Sequence, residues 1–278
     1  MKLAFQGELG AFSHLAALQL YPKSEIRACQ TFEECFRLAT ENFEYKIIIP
    51  IENSLAGRVA DIHYLIPKYK LQIYAEYFHP VIHNLLGLKG AKLKDIKTVR
   101  SHFQAIGQCQ NIIQKNNLKP IVSADTAGSA KYISEKKDKT ESALASSLAA
   151  KIYDLEIIIK HVEDDSKNIT RFLIMGKKVK QPEYQKDKKY ITTCIFRVKS
   201  VYAALYKCLG GFATNQVNLT KLESFSVKNT FDQTNFYLDV EGHIEQIQVQ
   251  KALEELGFHT QSLNILGVYE SSAFRQKK

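Results

Sequence analysis

With 278 residues, 45% of them hydrophobic and 24% charged, the chain has the balance of a globular protein of one large or two modest domains. No apolar run approaches the ~18–20 residues that cross a bilayer, and Glu8 and Gly10 interrupt the opening before a secretory apolar stretch forms, so neither a span nor a signal peptide is predicted. The net charge of +9 raises nucleic acid as a partner, but the lysines gather in Lys131–Glu141 and Lys177–Lys189, where acids are mixed in and no nucleic-acid motif accompanies them.

In chain order, Lys2–Phe5 reads as a first strand, and Gly7–Ser13 turns into a helix carrying Leu15, Leu18 and Leu20, with Ser13 as its cap. Thr31 and Glu34 have capping-box spacing for a helix through Ala39. Tyr45–Ile49 is a buried-type strand running into Glu52-Asn53-Ser54, with a helix predicted from Val59 to Ile66. Asn53 and Ser54 suit either a ligand or an ordinary helix cap. Lys70–Phe78 and Val81–Leu88 read as extended runs, with His83-Asn84 within the second.

Thr98–His102 is the next short strand and turn. A single helix from Phe103 to Lys115 is predicted after it, with Gln104 and Gln108 four apart on one face. Ile121-Val122 leads to Asp125, the expected cap of a helix through Tyr132, and the small residues of Ala143–Ile152 predict another helix. Leu155–Lys160 and Arg171–Met175 are strand-like and flank Asp164-Asp165-Ser166-Lys167-Asn168-Ile169-Thr170. That loop is expected to deliver the Thr170 hydroxyl and the Arg171 guanidinium side by side, the guanidinium suited to gripping a carboxylate.

Short strands alternate with helices, and the polar words fall at strand ends, which describes an α/β fold with a ligand site at the carboxyl ends of strands. Lys177–Lys189, charged and containing Pro182, reads as a linker. Beyond it come a strand at Tyr190–Val198, a helix at Val201–Phe212 and a hairpin of Val217–Val227 with Thr234–Glu241. A helix at Ile244–Leu256 and a strand at Ser262–Gly267 complete the ferredoxin-like βαββαβ order. Five scattered cysteines without a CxxC, and eight histidines without paired spacing, predict reduced thiols in a cytoplasm and no metal.

The spacing of Tyr153, Leu155, Ile158, Asp164, Thr170-Arg171-Phe172, Leu173 and Met175 resembles the signature of prephenate dehydratases. Gly7–Ser13, Glu52-Asn53-Ser54 with Gly57, Ser101-His102-Phe103-Gln104, Gln108-Cys109, Asp125-Thr126-Ala127 and Ala145-Ser146 are similar to further words of that family. The resemblance covers nearly the whole chain. It implies a two-lobed, periplasmic-binding-protein-like catalytic domain over 1–176, its lobes roughly 1–78 with 160–176, and 79–159. A linker at 177–189, an ACT domain at 190–270 and a tail at 271–278 follow.

It also implies conversion of prephenate to phenylpyruvate by a cytoplasmic homodimer or homotetramer in phenylalanine biosynthesis, without cofactor. By the same resemblance Thr170 is catalytic, and Asn53, Ser54, Ser101, Gln104, Gln108, Thr126, Arg171 and Phe172 bind substrate. Phenylalanine would act as effector at Ala204, Leu205, Asn218, Leu219, Glu223 and Ser224. Phe225-Ser226 stands where that family has Arg-Pro, and Ala203 where it has Gly, so weakened control is expected; Phe103 replaces a Pro. Arogenate dehydratase and a non-catalytic small-molecule binder are the alternative readings.

Overall fold

The computed structural model describes residues 1–59, 62–226 and 233–277. By compactness the chain divides into two units, Met1–Cys35 with Ile47–Val59 and Tyr77–Phe172, and Phe36–Lys46 with Ala60–Glu76 and Leu173–Lys278.

The chain opens with β1 (Lys2–Gln6), α1 (Phe12–Leu20), β2 (Glu25–Cys29), α2 (Phe32–Glu41), β3 (Tyr45–Asn53), β4 (Gly57–Arg58), α3 (Ile62–Tyr69) and β5 (Gln72–Pro80). Thr31 caps α2, its Oγ1 accepting from Glu34 N at 3.1 Å, while the returning Glu34 Oε2 accepts one residue further back, from Gln30 N at 2.8 Å. Ser13 is no cap. Ala11 holds the N-cap position of α1 without a side-chain bond. The helix predicted from Val59 is described over Ile62–Tyr69; Val59 itself is not helical, Gly57–Arg58 folds back as β4 on Glu52–Asn53, and residues 60–61 of the predicted helix lie outside the described residues. With β11 (Ile169–Gly176), these strands form a sheet in the order β2-β1-β3-β11-β5, β4 pairing with β3.

A second sheet is built from β6 (Asn84–Gly87), β7 (Thr98–Ser101), β8 (Lys119–Val122), β9 (Glu141–Ala145) and β10 (Glu156–Ile159), ordered β10-β6-β9-β7-β8. Around it lie α4 (Phe103–Gly107), α5 (Gln110–Lys115), α6 (Thr126–Lys136) and α7 (Ser147–Ile152). Alternation sends Leu85 and Leu144 to one core, with Val99, Ile106 and Ile113, and Leu86, Ala143 and Ala145 to another, with Ala130 and Ile133.

The helix predicted over Ala143–Ile152 therefore needs correction. Its first half is β9, paired antiparallel to β6 and parallel to β7 and buried throughout, and Ser146 caps the short helix that follows. Small residues suit a central strand pressed between two helical layers as well as they suit a helix.

After 177–189 come β12 (Tyr190–Val198), α8 (Ala204–Thr214), β13 (Leu219–Ser226), β14 (Thr234–Glu241), α9 (Ile247–His259) and β15 (Thr260–Glu270). The antiparallel order β13-β14-β12-β15 is that of the predicted βαββαβ unit. Its core includes Phe196, Phe212, Leu238, Val240, Val249 and Leu256. Val227, at the end of the predicted hairpin strand, lies outside the described residues.

Candidate active site

The end of β3 and the start of β11 bring residues more than a hundred apart in sequence into direct bonding. Asn53 Oδ1 accepts from the main-chain N–H of Leu55 (3.0 Å) and of Ala56 (2.8 Å). Main-chain N–H groups only donate, so the Asn53 oxygen must face them and its amino group must face away. That amino group donates to Asn168 Oδ1 at 2.7 Å and to Thr170 Oγ1 at 3.0 Å. Thr170 thus receives a hydrogen bond, and its own proton remains for another acceptor.

Ser54 stitches the same segment. Its Oγ donates to Lys167 O (2.8 Å) and accepts from Ile169 N (2.9 Å), while its N–H reaches Ile169 O (2.8 Å). Asn168 is 1% exposed, and its Nδ2 donates to Gln108 Oε1 at 2.8 Å. Gln108 Oε1 also lies 3.1 Å from His83 Nε2. Burial holds the His83 ring below the usual histidine range, partly offset by Gln108 and by nearby Glu163. Burial therefore favours the uncharged ring.

The expectation that Thr170 and Arg171 act side by side is corrected. Consecutive strand residues face opposite ways. While Thr170 meets Asn53, Arg171 is 2% exposed and its Nη1 donates to Glu52 Oε1 at 3.0 Å. The carboxylate that Arg171 grips is the protein's own. Phe172 is 1% exposed, its ring near His79 at a centroid distance of 6.5 Å, so its side chain packs in the interior.

The single helix predicted from Phe103 to Lys115 is two. It breaks at Gln108–Cys109, where Asp164 accepts from Gln110 N (2.7 Å) and Asn111 N (3.1 Å), starting α5 afresh. Gln108 closes the first of these turns, its N–H still on Gln104 O at 2.9 Å, but its side chain turns to Asn168 whereas that of Gln104 is exposed. Ser101 is fully buried and its hydroxyl donates to Leu144 O at 2.7 Å. Thr126 opens α6 behind Asp125, whose side chain caps Gly128 N at 2.6 Å. Among the described residues, neither Gln104 nor Thr126 bonds by its side chain to the Asn53–Thr170 network.

Phe103, where the resembled family has Pro, takes the first position of α4, one that tolerates either residue; it is 60% exposed, and the cap comes from His102. In the C-terminal unit Ala204 and Leu205 open α8, Asn218 bonds to Glu241 (2.9 Å), and Leu219 begins β13. Glu223 lies 2.9 Å from His63 and 3.2 Å from Lys221, while Ser224 is exposed.

Asn168, Glu52 and His83 join the site without a motif of their own in the sequence. Asn168 sits two residues before Thr170 and Glu52 one before Asn53, so strand alternation pairs Asn168 with Thr170 and sets Glu52 opposite Asn53.

An α/β scaffold in which part-buried amides and one oriented hydroxyl meet at strand ends offers placed hydrogen-bond donors of the kind that suit a small molecule. The chain belongs to the prephenate dehydratase family, whose model matches residues 3–180. It is 42% identical over 278 residues to a bifunctional N-acyl-homoserine lactone acylase/prephenate dehydratase of Komagataeibacter europaeus, covering 99% of this chain and 98% of that one. It is 34% identical to arogenate dehydratase/prephenate dehydratase 1 of Arabidopsis thaliana, covering 99% of this chain and 73% of the relative. The prephenate dehydratase of Arthrobacter aurescens, solved in complex with L-Phe, superposes with a TM-score of 0.89 at 25% identity, covering 98% of this chain and 90% of that one.

Proposed function

We propose that this protein is a prephenate dehydratase, a hydro-lyase that removes CO2 and water from prephenate to give phenylpyruvate in L-phenylalanine biosynthesis. The observation that carries the reading within the family is the polarity at Thr170: Asn53 donates to its oxygen, so its proton is available to a leaving group. In the reaction the bond to the ring carboxylate breaks, its electron pair enters the ring, and the bond to the 4-hydroxyl breaks as the ring becomes aromatic. The departing oxygen needs a proton or a donor. Thr170 supplies that donor, its proton being replaced from solvent. Aromatisation drives the elimination, and the protein's part is to align the two leaving groups and support the departing charge.

Gln108, Ser54, Gln104 and Thr126 form the substrate-binding set in this reading, with Ser101 bracing its turn from the interior and Glu52, Arg171 and Phe172 holding the Thr170 strand. The test is phenylpyruvate formation, read by absorbance in alkali, from prephenate and separately from arogenate. Turnover of neither would overturn the reading. Arogenate is the second reading, since the Arabidopsis relative is described by both substrates. The site gives no support to a serine nucleophile for the acylase activity in the Komagataeibacter relative's description. The Ser54, Ser101 and Ser146 hydroxyls each donate to a main-chain carbonyl rather than to a histidine.

We read residues 190–270 as an ACT domain behind a 177–189 linker, assembling a cytoplasmic homodimer or homotetramer. Five free, buried cysteines suit a reducing compartment. Phenylalanine control is weakened in this reading. Phe225 is 4% exposed and packs its ring on His63 and Tyr64, and Glu223 is engaged by His63 and Lys221. Calorimetry with phenylalanine checks this; micromolar binding with altered turnover would refute it.

A further inference from the structure

We infer that His83 is a positioning residue for the dehydratase site, acting through Gln108. The inference rests on the proposed activity, but its structural core is independent of it.

Hydrogen-bond polarity is fixed along a chain of side chains. The main-chain N–H groups of Leu55 and Ala56 fix the Asn53 amide. Its amino group therefore faces Asn168, which must present its oxygen, so the Asn168 amino group faces Gln108. Gln108 then presents Oε1 to Asn168, and the same oxygen faces His83 Nε2 at 3.1 Å. An oxygen acceptor requires a proton on that nitrogen. His83 is thus fixed as the Nε2–H form, 2% exposed, with Nδ1 buried and without a partner among the described residues.

The functional consequence lies at the far side of Gln108. With two donors held on Oε1, its amino group takes no partner among the described residues and is left to meet an anionic or carbonyl oxygen of substrate. Without His83 only the Asn168 bond holds the amide, and Gln108 is free to rotate or flip. His83 itself does not reach Thr170. Its ring is packed edge-on to Phe12 at a centroid distance of 5.2 Å, which keeps the donor on line.

Two substitutions separate this role from plain packing. His83→Phe keeps a ring but removes the donor, whereas His83→Gln returns an amide N–H at about the reach of Nε2. The expected result for His83→Phe is a KM for prephenate raised roughly ten- to a hundredfold, with kcat changed less. His83→Gln should recover to within about tenfold of wild type. In a Gln108→Ala background, His83→Phe should add almost nothing. Equal losses in the Phe and Gln variants, or an undiminished loss in the Gln108→Ala background, would overturn the role. Nitrogen-15 NMR of the histidine rings at neutral pH reads the tautomer without any turnover. A proton on Nδ1 in place of Nε2 overturns the inference whatever the activity, while a wild-type protein inactive on prephenate and arogenate counts against the activity reading and leaves the NMR result to decide the relay.

Discussion

Replacing Thr170 by Val removes one hydroxyl and little volume, which makes it the sharpest probe of the site. On the folding side the loss is small. Asn53 Nδ2 keeps Asn168 Oδ1 at 2.7 Å and Ile169 O at 3.3 Å, so no donor is orphaned. One hydrogen bond is lost, about 1 kcal/mol, a fall of about 2–4 °C in Tm for a domain this size. On the catalytic side a donor aimed at a departing oxygen is removed, and such donors contribute about 10²–10³ in kcat. KM should change little, since the Gln108 and Ser54 contacts do not depend on the methyl-for-hydroxyl exchange. The assay is steady-state phenylpyruvate formation from prephenate beside a thermal melt, with Thr170→Ser as the variant that restores the hydroxyl. A Val variant within about threefold of wild-type kcat, or a Ser variant as impaired as Val, would remove Thr170 from the donor role.

Glu52→Gln removes the charge facing Arg171. Glu52 is 34% exposed in its side chain, so the full penalty of a broken buried pair is discounted to about 1–3 kcal/mol; a melt should show it, and an unchanged Tm would mean that Arg171 is held by its other contacts. Asp164→Ala takes away the acceptor that starts α5, at about 1 kcal/mol. Because Gln108 sits at that break, KM for prephenate should rise several-fold, and an unaltered KM would count against the coupling. Burial acts to raise the Glu223 carboxyl, but His63 and Lys221 outweigh it and hold the group below the usual carboxylate range. Its stabilisation is therefore full above the unfolded value of about 4.3 and is lost as pH falls through the lower folded value. Glu223→Gln should flatten that acid limb in melts run from pH 7 to pH 3, and an unchanged acid limb would refute it.

Much of the scaffold could be read from residue patterns because local chemistry and tertiary context agree there. The Thr31 and Asp125 caps and the apolar runs that set the order of the C-terminal elements each act over a few residues and survive packing. The misreadings fall where a distant partner decides. Glu141–Ala145 is a strand because β6 and β7 flank it, and nothing within ten residues says so. The break at Cys109 is imposed by Asp164, more than fifty residues on. Thr170 and Asn53 were legible as polar words at strand ends, but their mutual polarity was not, since it depends on which atom of each amide meets which neighbour. Arg171 shows the limit most plainly. A guanidinium beside a site hydroxyl suggests a substrate clamp, and only strand direction reveals that it faces inward.

The opening loop carries a consequence for how the protein is made. Gly10, at φ +92°, approaches so closely that an added Cβ would stand 2.7 Å from Ala149 Cα. Its carbonyl accepts from Ser146 Oγ at 2.5 Å across 136 residues, and the carbonyl of Leu9 accepts from Tyr153 OH at 2.8 Å across 144. The ribosome therefore releases the first turn long before either tether exists. At about 5–20 residues per second, the N-terminal strand and helix wait many seconds for the segment that secures them, and the Asn53 loop waits for Thr170, 117 residues behind. A nascent chain arrested short of residue 146 lacks both tethers, leaving its early apolar strands to chaperones until the later segment arrives.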